Sequence, residues 1–200
     1  MIDITRRIYP GVPVWPGDTP YRFELAWQMA QGASVNVGRI TSTTHLGTHL
    51  DAPWHYLEEG ETLESIPLSL LIGPCQVVDA RGQEALTVAF LREVPLAERT
   101  LFYTGQPNDW ASFPQTFMPV LPEAAAYLAA QGVRLFGTDA PSVDPLDSQE
   151  LPGHKALAQG GVYILEGLAL EGVAPGCYEL IALPLSLEGA DAAPVRAVLR

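Results

Sequence analysis

Basic residues are scarce in this chain. Lysine and arginine together number 11 against 23 aspartates and glutamates, which gives a formal net charge of -12. The few basic residues form no cluster that could neutralise a phosphate backbone. The sequence therefore predicts that nucleic acid is not a partner of this protein.

Long hydrophobic runs are also missing. The longest apolar stretches, at positions 66–72 and 180–187, are interrupted by polar residues or proline and are too short to span a bilayer. The chain opens with Met-Ile-Asp-Ile-Thr-Arg-Arg, which lacks the apolar run and small-residue cleavage site of a secretory signal. We therefore expect no membrane segment and a cytoplasmic location.

Cysteine is nearly absent. Cys75 and Cys177 lie far apart in sequence, and neither has a neighbouring histidine or a Cys-x-x-Cys partner. Nucleophilic and redox chemistry at cysteine therefore have little support. In a reducing compartment both residues are expected to be free thiols that pack in the protein.

No segment of the chain has the composition of a linker. The 18 prolines and 18 glycines are spread throughout, which favours many short elements joined by tight turns. A chain of 200 residues can bury one sizeable core. We therefore expect residues 1–200 to form a single domain.

The predicted elements alternate between strands and a smaller number of helices. Short apolar or alternating runs predict eight strands, at 2–5, 21–29, 35–43, 75–79, 100–104, 133–137, 161–165 and 178–183. Helices are predicted at 87–93, 121–132 and 152–159, the last two having proline in the first turn and glycine at the end. This pattern indicates an α/β or α+β protein with a mixed sheet.

The chain has only four histidines, and three of them fall within eleven residues. His45, His49 and His55 share this window with Asp51, and glycine and proline interrupt it. Imidazole and carboxylate are the ligands that zinc and related ions prefer. The window therefore predicts a metal site.

A bend is required before these side chains can meet. In an extended strand His45 and Asp51 would lie roughly 20 Å apart at about 3.3 Å per residue, too far for one ion. Gly47 is free to adopt the dihedral angles of a tight turn, so the preceding strand is expected to end near Leu46. If a helical turn follows, the four-residue step would place His45 and His49 over one another.

The last histidine of the window is expected to have a different role. Pro53 breaks the chain after Asp51, so His55 need not bind the same ion. Two histidines and one carboxylate leave a coordination position for water, which is the pattern of catalytic zinc sites. Such an ion lowers the pKa of water, and His55 is suited to pass protons.

Two residues outside the window are candidates for the same site. Glu166 lies in an apolar strand, where an unpaired carboxylate would be costly, and His154 is the remaining histidine. Together with Asp51 they could hold a second ion, or His154 could support a single ion from outside its ligand shell. Alternatively, Glu166 could simply pair with an arginine.

The sequence resembles a known family. The segment Ser-Thr-Thr-His-Leu-Gly-Thr-His-Leu-Asp-Ala-Pro-Trp-His at 42–55 is similar to the signature of the metal-dependent cyclase-like hydrolases. Within that family the whole chain resembles the bacterial kynurenine formamidases. The further matching segments are 12–18, 73–75, 137–145, 164–168, 178–185 and 194–199.

This resemblance implies a fold, an activity and a ligand set. The implied fold is α/β, a swivelling β/β/α architecture with a mixed central sheet, in a homodimer or larger homo-oligomer. The implied activity is hydrolysis of N-formyl-L-kynurenine to L-kynurenine and formate in tryptophan breakdown. His45, His49 and Asp51 would bind one zinc ion, and Asp51, His154 and Glu166 a second, with Asp51 and Glu166 shared between them.

The resemblance also implies roles for two residues beside the metal. His55 would be the acid/base residue, and Trp15 would pack on the aromatic ring of a small-molecule substrate. Trp15 could instead be a core or dimer-contact residue. Lys155, next to His154, departs from relatives that carry a second histidine there.

Several alternatives follow from the same residues. The ligand set would also accept manganese or cobalt. A hydrolase of this framework could act on isatin or a cyclic imide, and a non-catalytic metal-binding protein could keep the site for structure. Asp139 and Asp144 lie in a Thr-Asp-Ala-Pro-Ser-Val-Asp-Pro stretch and are expected to organise turns.

Overall fold

The computed structural model describes all residues from 1 to 200, which form ten β-strands and three α-helices. The strands are β1 (Ile2–Asp3), β2 (Arg22–Trp27), β3 (Val37–Thr41), β4 (His49–Asp51), β5 (Ile72–Asp79), β6 (Arg99–Tyr103), β7 (Leu135–Thr138), β8 (Tyr163–Glu166), β9 (Gly176–Pro184) and β10 (Ala192–Leu199). The helices are α1 (Val88–Leu91), α2 (Pro122–Ala130) and α3 (Pro152–Gln159).

Seven of the strands close into a barrel-like sheet. Their order is β10-β4-β8-β7-β6-β5-β9, and β9 pairs back with β10 to complete the ring. The pairs from β5 to β8 are parallel, whereas the others are antiparallel. This arrangement confirms the α/β class with a mixed central sheet.

The helices connect the parallel strands. In sequence, α1 lies between β5 and β6, α2 between β6 and β7, and α3 between β7 and β8. Parallel neighbours require such crossover connections, since a tight turn cannot join them. Consequently α2 and α3 lie on one side of the sheet and pack against each other.

The hydrophobic core has two parts, one on each face of the sheet. Leu101 and Leu135 belong to a cluster of 22 buried residues, whereas their neighbours Phe102 and Phe136 belong to a cluster of 17 that includes the helices. Successive residues of a strand point to opposite faces, so the parallel strands are buried on both. This explains why they are almost continuously apolar.

The three predicted helices are present, and the residues expected at their ends lie there. Helix α3 has the predicted bounds, with Pro152 in its first turn and Gly160 directly after it. Helix α2 begins at Pro122, again as expected from proline at the start. In α1 the Thr87 hydroxyl accepts a hydrogen bond from the Phe90 amide at 3.2 Å.

The structure corrects several strand predictions. The prediction of a helical turn between His45 and His49 is wrong, because the chain there forms bends that lead directly into β4. Strands β4 and β10 were not among the predicted strands. The first strand is confined to Ile2–Asp3, and Thr5 forms only an isolated bridge with Leu168.

The cysteine prediction is half right. Neither residue forms a disulfide, and Cys75 is buried, but Cys177 is exposed on the neighbouring strand. The Cys177 thiol donates to Gln76 Oε1 at 3.2 Å. Separately, none of the helices has the length and apolar character needed to traverse a lipid bilayer.

Candidate metal centre

The five side chains predicted as metal ligands converge on one place. They are His45 in the bend after β3, His49 and Asp51 in β4, His154 in α3, and Glu166 at the end of β8. They form two groups, His45 with His49 and Asp51, and Asp51 with His154 and Glu166, in which the potential ligand atoms all lie within 4.8 Å of one another. Asp51 belongs to both groups.

Sheet register brings three of these residues together. Strands β4 and β8 are antiparallel, and His49 pairs directly opposite Glu166. Residues opposite each other, or two apart on one strand, share a face of the sheet. Accordingly His49 Nε2 lies 3.5 Å from Glu166 Oε2 and 3.3 Å from Asp51 Oδ1.

The bend at Gly47 brings His45 to the same face. Gly47 has a φ of 62°, as its predicted role in the turn requires, and the His45 and His49 rings lie 4.9 Å apart between centroids. Gly167 packs against this turn so closely that a Cβ atom there would sit 2.1 Å from the Gly47 carbonyl oxygen. Glycine is therefore needed at both positions.

Asp51 directs one oxygen at each group. Its Oδ1 lies 3.1 Å from His45 Nδ1, while its Oδ2 lies 3.8 Å from His154 Nε2. Glu166 spans the groups in a similar way, since its Oε1 is 3.6 Å from His154 Nε2 and its Oε2 faces His49. The two carboxylates thus occupy the space between three imidazoles.

Each of the three histidines has an acceptor for the ring nitrogen that faces away from this space. The pairs are His45 Nε2 with Asp191 Oδ2 at 3.0 Å, His49 Nδ1 with the Gly47 carbonyl at 3.1 Å, and His154 Nδ1 with Asp144 Oδ2 at 2.7 Å. When that nitrogen carries the proton, the opposite nitrogen presents a lone pair to the carboxylates. Metal-binding histidines are held in this way by outer acceptors.

The central atoms also lack hydrogen-bond partners. His49 Nε2 and both carboxylate oxygens of Asp51 are buried and make no hydrogen bond. Unpaired buried polar atoms are costly, and they are rare unless an ion or water satisfies them. The donor set, with histidine nitrogen and carboxylate oxygen around two positions, therefore fits divalent metal ions.

The electrostatics of the metal-free cluster favour protonated histidines. Burial disfavours the imidazolium form, but the nearby carboxylates of Asp51 and Glu166 outweigh it and raise the pKa of His49 to about 10. The pKa of His45 rises to about 9 and that of His154 to about 10, with carboxylates again outweighing burial. Burial would raise the pKa of Asp51, yet His45 and His49 hold it well below its usual value.

These shifts predict that metal binding releases protons. A pH of 7.5 is below these raised pKa values. The histidines of the metal-free protein therefore carry protons that a bound ion must displace. Metal affinity should consequently strengthen as the pH rises towards 9 to 10. Calorimetric zinc titrations at pH 7.5, in two buffers of different ionisation enthalpy, measure the protons released. Identical heats in the two buffers would contradict this prediction.

His55 lies beside the cluster. It ends a short 3-10 turn that begins at Pro53, and its ring lies 4.0 Å from that of His45 between centroids. About one-third of its side chain is exposed, and its Nδ1 is 3.7 Å from Asp191 Oδ2. Burial lowers the pKa of His55, whereas carboxylates raise the pKa of the other three histidines above its usual value. A neutral imidazole can accept a proton at physiological pH.

An aromatic wall lines the cavity above these residues. The cavity has a volume of about 240 Å³, and both His55 and Trp15 line it. Trp15 makes an edge contact with Phe113 at 5.4 Å, and Phe113 makes another with Trp110 at 5.7 Å. The structure thus places Trp15 at a cavity wall and not in either core cluster.

The two aspartates expected to organise turns do so. Asp139 accepts hydrogen bonds from the amides of Thr104, Gly105 and Gln106, which fixes the loop after β6. Asp144 accepts from the amides at the start of α3. Its contact with the His154 ring was not predicted, because no local spacing rule connects a loop residue with a helical residue ten positions later.

Asp191 is the other residue near the site that the sequence does not point to. It contacts His45, 146 positions earlier in the chain, and no spacing rule connects such residues. Lys155 is half-buried beside His154 and forms no ion pair. The His154 ring still faces Asp51 and Glu166, so the unusual lysine does not displace it.

Comparisons with known proteins place the chain in one family. The family model described as putative cyclase matches residues 2–145. A kynurenine formamidase of Geobacillus thermodenitrificans is 47% identical over 100% of this chain and 96% of its own length, and one of Erythrobacter litoralis is 48% identical over 99% and 92%. The chain covers nearly the whole of both relatives.

Solved structures show the same architecture. A potential metal-dependent hydrolase with cyclase activity superimposes with a TM-score of 0.85 at 36% identity, covering 98% of this chain and 95% of its own. Isatin hydrolase A of Labrenzia aggregata has a TM-score of 0.80 at 24% identity, covering 99% and 92%, and shares the fold. The chain therefore belongs to the putative cyclase family of metal-dependent hydrolases and, within it, to the kynurenine formamidases.

Proposed function

We propose that this enzyme hydrolyses N-formyl-L-kynurenine to L-kynurenine and formate, a step in tryptophan breakdown. The observation that carries the proposal is the pair of ligand groups sharing Asp51 at the base of an aromatic-walled cavity. The formamidase relatives, similar over their full length, support the same activity.

The metal part of the proposal is two zinc ions for each subunit. His45, His49 and Asp51 would hold one, and Asp51, His154 and Glu166 the other, with Glu166 also reaching towards the first. Manganese or cobalt would suit the same ligands. When bound, such ions lower the pKa of water and stabilise the negative charge that develops on a carbonyl oxygen.

The residues around the metal position supply the remaining chemistry. Hydrolysis forms a bond between water oxygen and the formyl carbon, breaks the carbon–nitrogen bond and leaves a proton on the arylamine nitrogen. His55 is neutral near pH 7, so it can take the proton from water and give it to the departing nitrogen. We assign this transfer to Nε2, because Nδ1 faces Asp191.

The cavity wall would hold the aromatic ring of the substrate. Trp15 and Phe113 both line the cavity and contact each other edge to face, and such aromatic surface suits packing against an aniline ring. The proline-flanked position of Trp15 limits the conformational freedom lost on binding.

Asp18 is proposed to recognise the ammonium group of the substrate. Apart from Glu166 in the cluster, Asp18 is the only carboxylate that lines the cavity, and no lysine or arginine lines it. Its amide donates to the Trp15 carbonyl at 3.0 Å, so the carboxylate and the indole belong to one tight turn. N-formyl-L-kynurenine carries an α-ammonium group, whereas isatin and N-formylanthranilate do not.

An Asp18→Asn variant is therefore expected to raise the KM for N-formyl-L-kynurenine about tenfold with little change in kcat, because a charge-assisted hydrogen bond is lost. The KM for N-formylanthranilate should stay the same or fall. Asp109→Asn, an exposed substitution outside the cavity lining, is the matched control. Equal losses on both substrates would contradict the assignment.

A substrate panel tests the activity itself. N-formyl-L-kynurenine, N-formylanthranilate and isatin are assayed with and without chelator. The proposal expects chelator-sensitive hydrolysis with N-formyl-L-kynurenine as the best substrate. Preference for isatin would favour the ring-opening alternative, for which the shared fold with isatin hydrolase A is the supporting observation. Inactivity on all three would favour a non-catalytic metal-binding protein.

The proposal includes a single domain, a cytoplasmic location and a homodimer. The pairing of β1 with β10 joins the two ends of the chain within one sheet, and the two free cysteines suit a reducing compartment. The dimer is suggested by the hairpin of β2 and β3, because every residue of both strands is exposed. An isolated hairpin is marginally stable, so its apolar face requires a cover.

We assign that cover to a second copy of this chain. Phe23 and Ile40 are cross-strand partners on the hairpin and are 51% and 65% exposed. An Ile40→Glu variant is expected to convert a dimer into a monomer, as measured by light scattering during gel filtration. Leu68→Glu, the same change at another exposed aliphatic residue, should leave the dimer intact. A monomeric wild-type protein, or a dimeric Ile40→Glu variant, would contradict this interface.

A further inference from the structure

Asp191 connects the metal cluster to the candidate acid/base residue. It directly precedes β10, and its carbonyl accepts a hydrogen bond from the Ala52 amide at 2.8 Å. Its Oδ1 accepts from the Thr44 hydroxyl at 2.8 Å, and its Oδ2 lies 3.0 Å from His45 Nε2. The carboxylate is therefore fixed by contacts on both of its oxygens.

The oxygen that faces His45 also faces a second histidine. His55 Nδ1 lies 3.7 Å from Asp191 Oδ2, and the two imidazole rings are 4.0 Å apart between centroids. This separation exceeds a hydrogen bond, but contacts between catalytic groups are often long before substrate binds. One carboxylate oxygen is thus placed to accept from two rings.

We propose that Asp191 is a positioning residue that sets the tautomer and orientation of both histidines. With the His45 Nε2 proton directed at Asp191, the lone pair of Nδ1 is presented to the position beside Asp51. With the His55 Nδ1 proton directed at the same oxygen, Nε2 is left free for the cavity. The part concerning His55 rests on the proposed hydrolase function.

Positioning the two histidines is a different role from attaching the segment at Ala52 to β10. The backbone bond between Asp191 and Ala52 already holds the loop to β10, and an asparagine side chain would retain it. An asparagine amide oxygen could still face the two imidazoles, but it carries no negative charge to strengthen these hydrogen bonds, and its NH2 group would replace the oxygen that accepts from the Thr44 hydroxyl. An Asp191→Asn variant therefore separates positioning from attachment.

The test compares Asp191→Asn with Glu188→Gln, the same acid-to-amide change at an exposed residue three positions away. Zinc affinity is measured by competition with a chromogenic chelator. Asp191→Asn should weaken one of two zinc sites by about 10- to 100-fold, the usual effect of removing an outer partner of a metal ligand. Glu188→Gln should bind zinc as the wild type does. Unchanged affinity in Asp191→Asn would overturn the role towards His45.

The role towards His55 is tested at saturating zinc with N-formyl-L-kynurenine. Asp191→Asn should lower kcat about tenfold with little change in KM, and adding it to a His55→Ala variant should cause no further loss. Independent, multiplying losses would overturn this role. If the wild-type protein binds zinc but does not hydrolyse this substrate, the proposed function fails, while the zinc comparison still decides the role towards His45.

A measurement on the unsubstituted protein covers the case of a variant that does not fold. Nitrogen-15 NMR of the imidazoles distinguishes the two neutral tautomers of histidine. In the zinc-loaded protein His55 should carry its proton on Nδ1. A proton on His55 Nε2 would overturn the role towards His55.

Discussion

An Asp51→Asn variant is expected to lose about a thousandfold in kcat/KM for N-formyl-L-kynurenine and to retain little bound metal. Asp51 is fully buried, directs one oxygen at each ligand group, and has no other hydrogen-bond partner. Metal-assisted charge stabilisation contributes several kcal/mol to a hydrolytic transition state, and about 1.4 kcal/mol corresponds to a tenfold rate. Elemental analysis and turnover of the same preparation measure both effects.

The expected effect of Asp51→Asn is large because both ligand groups share Asp51. A ligand that serves only one group would leave the other position intact, whereas removing the Asp51 charge weakens both. Asp147→Asn, an exposed substitution in the loop before α3, serves as the matched control and should change neither metal content nor turnover. An Asp51→Asn protein that keeps two ions and most of its activity would show that the carboxylate is not the shared ligand.

A His55→Ala variant is expected to lower kcat by about a hundredfold or more and to keep its metal. General acid–base groups typically contribute factors of about 10² to 10⁴. His55 is partly exposed and belongs to neither ligand group around Asp51, so its removal should leave the cluster in place. Turnover, KM and metal content are measured together.

His154→Ala provides the contrast for this experiment. The His154 ring is buried and faces both Asp51 and Glu166, so its loss should reduce metal content. If His55→Ala instead loses an ion, His55 is a ligand, and its proximity to His45 and Asp191 would have to be interpreted as part of a metal site. Full turnover in His55→Ala would remove it from the mechanism.

The convergence of His45, His49 and Asp51 was predictable because these candidate ligands are neighbours in sequence. His45, His49 and Asp51 lie within seven residues, and the glycine at the bend and the proline after Asp51 mark where the chain turns. Helix α3 was predictable for a similar reason, since proline lies in its first turn and glycine follows its last residue. The signal in each case depends on neighbouring residues and needs no tertiary information.

The missing elements depend on contacts that are distant in sequence. Strand β4 has three residues, too few for a periodic signal, and it is a strand because β8 and β10 pair with it on either side. The alternation of β10 is obscured by alanines and Pro194. Asp191 directly precedes β10 and reaches His45 through the pairing of β10 with β4, so no local pattern could identify it.

The exposed hairpin shows a different limit. Its apolar residues predicted strands, and strands are what they form, but the pattern gave no indication that the hairpin stands apart from the barrel. Hydrophobic side chains normally predict burial within the chain. Here Phe23, Trp27 and Ile40 are more than half exposed, which is the reason for assigning them to a contact between copies.

The central claim is that this cluster of histidines and carboxylates holds the metal on which hydrolysis depends. The most direct test is turnover of N-formyl-L-kynurenine by one preparation, purified without added ions, whose metal content is measured before chelation, after chelation and after zinc is restored. The account predicts that activity rises and falls with bound metal and that full activity corresponds to two ions for each chain. Undiminished turnover by protein shown to be free of metal would contradict it.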